Sequence, residues 1–92
     1  MDHPTHTAAE ILQAYAAWTA VLDSTRTAVV HLAYTPEQKA RRLAFSYAAD
    51  ALATWTIVKA SSDGRTMLRE SPTGERLMHI IGRWGRESVA IP

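Results

Sequence analysis

Ser71-Pro72-Thr73-Gly74-Glu75 is a turn sequence close to the carboxyl end of the chain. Proline fixes φ at the first corner of a turn, and glycine adopts the left-handed conformation that closes a hairpin with a bulge. Pairing Ser71 with Glu75 predicts the register of two antiparallel strands: Glu70 opposite Arg76, Leu68 opposite Met78, and Thr66 opposite Ile80.

The two faces of this predicted hairpin differ in composition. The face that holds Leu68, Met78 and Ile80 is apolar away from the turn, so we expect it to lie on the rest of the protein. The other face mixes cations with hydrophobic residues: Arg65, Met67, Arg69, Leu77, His79 and Ile81. Such a mixture is typical of a half-exposed or contacting surface.

Thr35-Pro36-Glu37-Gln38 predicts the start of a helix. Thr35 suits the N-cap, Pro36 the first helical position, and Gln38 the position that closes a capping box. The apolar face that follows holds Ala40, Leu43, Ala44, Tyr47, Ala48, Ala51, Trp55 and Val58. This pattern predicts a helix to about residue 60, although the β-branched residues at 54–60 also allow a strand there.

A second capping box, formed by Thr7 and Glu10, predicts an earlier helix. An apolar stripe continues from it through Ile11, Tyr15, Trp18, Leu22, Thr25, Val29 and Leu32. Because the stripe stays in phase, we predict one helix over residues 7–33. The polar run at residues 23–27 leaves an alternative, in which the helix ends there and a strand lies near 27–34.

These elements predict an α+β fold with two long antiparallel helices followed by a C-terminal β-hairpin or small antiparallel meander. The chain is expected to form a single domain, 1–92. It divides into a flexible N-terminus at 1–6, a helical hairpin at 7–60, a β-hairpin at 65–82 and a tail at 83–92, in which residues 89–91 can add a short strand. The alternative is an α-β-α-β-β order with strands near 27–34 and 54–60.

The composition excludes several classes of protein. A length of 92 residues with 47% hydrophobic and 21% charged residues is that of one globular domain. A net charge of +1 argues against a nucleic-acid module held by charge alone, and the absence of cysteine rules out disulfides and thiolate zinc sites. The N-terminus does not resemble a signal peptide, and no stretch suits a bilayer, so we expect a cytoplasmic protein without membrane contact.

No catalytic, cofactor or metal site is predicted. His3 and His6 lie near the N-terminus with no further ligand arranged around them. Ser46, Asp50 and His31 can be drawn as a triad, but nothing positions an oxyanion hole, and an ion pair or solvation of Asp50 is favoured instead. We therefore expect no cofactor and favour a role other than catalysis.

The helices predict self-association, because each has apolar residues on more than one face and a single β-hairpin cannot cover them all. We therefore expect a homodimer with a four-helix core. A macromolecular partner is expected at the C-terminal hairpin and the Trp84 loop, through these residues: Arg65, Arg69, Arg76, His79, Arg83, Trp84 and Arg86.

Two other functions stay open. A protein partner is favoured over nucleic acid, but the basic residues of two subunits can combine into a regulator that binds DNA or RNA. A small-molecule or enzymatic pocket between the helices is the third hypothesis, near Tyr15, Trp18, Tyr47, Asp50 and Trp55. In general character the composition resembles the small accessory proteins of bacteria, phages and plasmids.

Overall fold

A computed structural model describes residues 6–25, 33–83 and 85–92 of the chain. Two helices precede one antiparallel sheet whose strands follow each other in sequence order. The elements are α1 (Ala8–Thr25), α2 (Pro36–Ala53), β1 (Thr56–Ala60), β2 (Thr66–Glu70), β3 (Arg76–Ile81) and β4 (Glu87–Ala90). The predicted fold class, a helical pair followed by a small antiparallel meander, is confirmed.

Both predicted capping boxes are present. The Gln38 N–H donates to Thr35 Oγ1 at 3.2 Å, and the Thr35 N–H donates to Gln38 Oε1 at 2.9 Å. Thr7 and Glu10 make the same two bonds at the start of α1. These reciprocal bonds satisfy amide groups that have no partner within the helix, which explains why both helices begin where they do.

Helix α2 is shorter than the predicted span to residue 60, since it ends at Ala53 and residues 56–60 form β1. The reason is local: Thr54, Thr56, Ile57 and Val58 carry β-branched side chains that fit an extended strand better than a helix. The alternative strand near 54–60 is therefore the correct assignment for this segment.

Helix α1 is described as far as Thr25. Both the predicted continuation to residue 33 and the alternative strand near 27–34 fall mainly on residues 26–32, which lie outside the described residues. Ala33 and Tyr34, which follow them, belong to neither a helix nor a strand.

The predicted hairpin register is confirmed at every pair, from Glu70 opposite Arg76 to Thr66 opposite Ile80. Gly74 has a φ of 89°, and the Ser71 N–H donates to the Glu75 carbonyl at 2.8 Å. A side chain at position 74 would strain this turn, because residues with a Cβ rarely adopt positive φ. The turn sequence thus fixes how the two central strands align.

The sheet packs on the helices through the face that was predicted to be half-exposed. Leu77 is fully buried and belongs to the core cluster with Ile11, Tyr15 and Leu52. Since side chains alternate along a strand, Leu68 and Met78 point away from the helices. The expectation that this apolar face packs inward is therefore wrong.

Candidate interaction surfaces

A groove runs along the side of the helical pair that faces away from the sheet. Its volume is about 670 Å³. Four alanines line it together with Tyr47, and we call this set the helical groove: Ala14 and Ala17 of α1, and Ala40, Ala44 and Tyr47 of α2. Small side chains on both helices leave room for another helix to approach closely.

The helical groove exists because α2 buries only part of its apolar face. Of the predicted face, Ala48 and Ala51 are buried in the core, but Leu43 is 54% and Tyr47 is 51% exposed. The four-residue spacing of these two large side chains places both on one side of the helix. Leu43 and Tyr47 thus form an apolar surface beside the groove, on the part of the predicted face that the sheet does not cover.

The charged side chains at the rim of the groove are held within their own helices. The Arg41 guanidinium pairs with Glu37 at 2.9 Å, one turn away on α2. On α1, the Thr7 N–H donates to the Glu10 carboxylate, and this bond is the main cause of a pKa for Glu10 below its usual value. Glu37, Arg41 and Glu10 therefore each have a partner within the chain, and none of the three needs a ligand to pair with.

The outer face of the sheet is a second apolar surface, which we call the outer sheet face: Thr66, Leu68, Met78 and Ile80, with Glu70 and Arg76 at its end. Arg76 Nε donates to Glu70 Oε1 at 2.8 Å across the two strands. Antiparallel sheets with one solvated face usually place polar side chains there. In this sheet the outer face instead carries the neighbouring apolar side chains of Leu68, Met78 and Ile80.

A polar cluster lies beneath the inner face of the sheet. Glu87 Oε2 accepts from the Tyr15 hydroxyl at 3.0 Å and lies 3.2 Å from His79 Nε2. Burial, with the nearby Glu87 carboxylate, raises the pKa of Tyr15 well above its ordinary value of 10.0. The tyrosine therefore remains a neutral hydrogen-bond donor, and the cluster ties α1 to the last strand.

Two of the predicted partner-binding arginines serve as internal ties. Arg69 Nη1 donates to the Trp55 carbonyl at 3.1 Å, just beyond the end of α2. Arg86 Nη2 donates to Asp23 Oδ1 at 2.6 Å, close to the end of α1. Arg69 thus joins β2 to the segment that follows α2, and Arg86 joins the β3–β4 connection to α1.

The remaining predicted contact residues are spread over the molecule. Arg76 lies on the outer sheet face and His79 on the inner one, whereas Arg65 and Arg83 are exposed in the β1–β2 and β3–β4 connections. These connections share one end of the sheet, where the Ile81 N–H donates to the Arg65 carbonyl at 2.7 Å. Trp84 lies outside the described residues. Partner binding by this set stays a prediction.

The other predicted constellations are not assembled by the described residues. Asp50 and Ser46 are exposed on α2, and His31 lies outside the described part of the chain. Of the residues expected to line a pocket between the helices, Tyr47 lines the groove and Trp18 borders a smaller pocket of about 190 Å³, whereas Tyr15 and Trp55 are buried in the core.

Neither a metal site nor a membrane helix appears within the described ranges. No group of three or more His, Cys, Asp or Glu side chains there is placed to hold a metal ion. None of the helices described has the length and apolar character that crossing a membrane requires.

Sequence reasoning missed two features of the site. The Tyr15–Glu87 bond joins residues 72 positions apart, and no local pattern signals such a contact. The sequence also predicted apolar surface that one hairpin cannot cover, but it did not show that Leu43 and Tyr47 would carry it, because both belong to the face expected to pack inward.

Comparison with known proteins adds no assignment. No protein-family model matches the chain, and searches of curated proteins and of solved structures found no significant similarity.

Proposed function

We propose that this chain is a small non-enzymatic interaction protein that self-associates through its helical layer and binds a macromolecular partner with its sheet. The observation that supports the proposal best is that both outer surfaces are apolar. The helical groove is flanked by the exposed Leu43 and Tyr47, and the outer sheet face carries Leu68, Met78 and Ile80. Leu43 and Tyr47 are exposed, whereas Leu68, Met78 and Ile80 are half-buried. Apolar surface that remains accessible to solvent marks sites of protein association.

The proposed partner surface is the outer sheet face, whereas the sequence predicted a contact through residues that include Arg69 and His79 on the inner face. Arg69 and His79 point toward the helices and make internal contacts, so the outer sheet face is the better contact surface of the hairpin. Its apolar centre and the Glu70–Arg76 pair at its edge match the arrangement of protein interfaces, in which an apolar core is surrounded by a polar rim.

The test is affinity capture with two matched variants. Met78→Lys places a charge in the centre of the outer sheet face, whereas Ser62→Lys places the same charge in the exposed β1–β2 connection. A partner identified by mass spectrometry, and then purified, should bind the wild type and Ser62→Lys and should lose most of its affinity for Met78→Lys. Circular dichroism would verify that both variants fold.

Two results would contradict this proposal. Equal binding of the purified partner to both variants would exclude the outer sheet face as the contact. Capture of DNA or RNA that weakens steeply with salt would favour the nucleic-acid regulator instead, because neutralising phosphates releases counterions.

A further inference from the structure

We propose that Asp63 is a site of isoaspartate formation, which the β1–β2 turn protects for as long as Ser61 holds that turn closed. Asp63 is followed by Gly64 in the exposed connection between the two strands. Asp-Gly is the aspartyl pair most prone to this rearrangement, because glycine has no Cβ to hinder its amide nitrogen and gives the backbone more freedom. The chain contains no asparagine, so Asp63 is the position at which we expect such a modification first.

The reaction takes place within the chain and needs only water. The Gly64 amide nitrogen attacks Cγ of the protonated Asp63 carboxyl group, and the new N–Cγ bond closes a cyclic succinimide. The carboxyl hydroxyl leaves with the amide proton as a molecule of water. Water then adds to the backbone carbonyl of the ring and breaks its bond to the nitrogen, so that the chain continues through the former side chain as isoaspartate.

The turn holds both reacting groups in hydrogen bonds. The Gly64 N–H, whose nitrogen must attack, donates to the Ser61 carbonyl at 3.0 Å. Asp63 Oδ1 accepts from the Ser61 hydroxyl at 2.6 Å and from the Arg65 N–H at 3.1 Å. Because these bonds must break before the ring can close, the reaction requires local opening of the turn.

The same hydrogen bonds keep the Asp63 carboxyl group in its unreactive form. The bond from the Ser61 hydroxyl is the main cause of a pKa for Asp63 below the ordinary value of 3.8, and the Arg65 N–H is the next cause. Both donors stabilise the carboxylate. Ring closure expels water from the protonated acid, so a lower pKa leaves less of the reactive form at any pH above it.

The protection depends on Ser61, because burial does not contribute to it. All residues from 61 to 65 are exposed, so hydrogen bonds decide how often the turn opens. The Ser61 hydroxyl donates to Asp63 and accepts the Thr66 N–H at 3.1 Å. The Ser61 N–H donates to the Thr66 carbonyl at 2.8 Å. One side chain thus closes the turn and holds the aspartate within it.

The product would alter the edge of the sheet. Isoaspartate adds one carbon atom to the backbone between Asp63 and Gly64 and leaves a carboxylate beside it. The turn lies next to Ala60 and Met67, which form the last pair of the β1–β2 register. Conversion of Asp63 would therefore disturb the alignment of β1.

The experiment follows isoaspartate in the full chain. Trypsin cleaves after Lys59 and Arg65 and releases the segment 60–65, whose aspartyl and isoaspartyl forms have equal mass but separate by chromatography. Wild type is incubated at mildly acidic pH, both in buffer and in guanidinium chloride. Conversion of Asp63 should be slower by about tenfold or more in the folded chain than in the unfolded one.

Two neighbouring serines provide the matched variants. Ser61→Ala removes a hydrogen bond to a charged group, so the folded variant should convert about tenfold faster than the wild type. Ser62→Ala removes a hydroxyl that makes no hydrogen bond within the described part of the chain, and it should convert at the wild-type rate. Circular dichroism verifies that both variants fold.

Equal rates in the folded and unfolded wild type would overturn the proposed protection. The absence of isoaspartate from the unfolded chain would overturn the site itself. Equal rates for Ser61→Ala and Ser62→Ala would show that Ser61 does not hold the turn closed, and would overturn the proposal as well. The comparison of folded with unfolded wild type does not depend on how either variant folds.

Discussion

The hydroxyl of Tyr15 on α1 donates a 3.0 Å hydrogen bond to the carboxylate of Glu87 on β4. It is one of several polar ties between α1 and the sheet side of the fold. Near the start of the helix the Ala8 N–H donates to Glu75, and near its end Asp23 pairs with Arg86. These ties fix the position of the helix whose outer side lines the groove.

Replacing Tyr15 with phenylalanine should lower stability and remove an alkaline transition. The lost hydrogen bond to a charged acceptor costs about 1–3 kcal/mol in the free energy of unfolding at neutral pH. The pKa of Tyr15 is raised in the folded chain, so its contribution is complete below the unfolded value of 10.0 and is lost as the pH rises beyond it. Urea unfolding between pH 8 and pH 11 measures both effects.

Tyr47→Phe is the matched control for this experiment, because Tyr47 is exposed. It should keep the alkaline loss of stability seen in the wild type. If Tyr15→Phe and Tyr47→Phe showed the same stability at every pH, the proposed role of the Tyr15–Glu87 bond would be wrong.

Leu77→Ala and Leu68→Ala make the same change on opposite faces of the sheet. Leu77 is fully buried against the helices, so its truncation should cost about 2–5 kcal/mol. Leu68 points to the outer face, and its truncation should cost about 1 kcal/mol or less in the monomer. Denaturant unfolding checks the order of the two values, and the reverse order would contradict the observed packing.

Glu10→Gln should make the start of α1 less sensitive to acid. The pKa of Glu10 is lowered by its bonds to Thr7, so the carboxylate stabilises the folded chain above its ordinary pKa of 4.5. This contribution disappears as the pH falls through the lowered value. Glutamine retains the capping box, as Gln38 does in α2, but does not titrate.

Thermal unfolding of the Glu10→Gln variant between pH 6 and pH 3 should therefore show a smaller fall in the melting temperature than the wild type. Glu37→Gln serves as the control, because it removes an exposed carboxylate that pairs with Arg41 and caps no backbone amide. An unchanged pH dependence in Glu10→Gln would show that the capping carboxylate does not act in this way.

Thr35→Ala should destabilise the chain by about 1 kcal/mol, because Thr35 accepts the Gln38 N–H at the start of α2. Ser46→Ala, at an exposed position within the same helix, should have little effect or stabilise it slightly. Chemical denaturation of both variants measures the difference. Equal stabilities would indicate that this capping box contributes nothing.

The sequence predicted the local features of the fold well. Both capping boxes and the hairpin register follow from a few adjacent residues, and each appears as predicted. These features depend on hydrogen bonds within a turn or a helix end, so neighbouring residues determine them. The strand at 56–60 was predicted only as the alternative to a longer α2, and its β-branched residues outweighed the apolar spacing that favoured the helix.

The inward face of the sheet could not be predicted in this way. Arg69 and His79 made one face look exposed, but a carbonyl near the end of α2 and the Glu87 carboxylate provide partners for them beneath the sheet. Those partners lie 14 and 8 positions away and belong to other segments of the fold. Buried polar groups are tolerated once they are hydrogen-bonded, and the partners become visible only when the chain is folded.

Sedimentation velocity of the wild type and two variants tests self-association through the helical layer most directly. At tens of micromolar, self-association predicts a mass of twice 10.2 kDa for the wild type. The same dimer is expected for Ile57→Lys, which alters an exposed residue of β1, and a single-chain mass for Leu43→Lys. A single-chain mass for the wild type, or a dimer that survives Leu43→Lys unchanged, would contradict it.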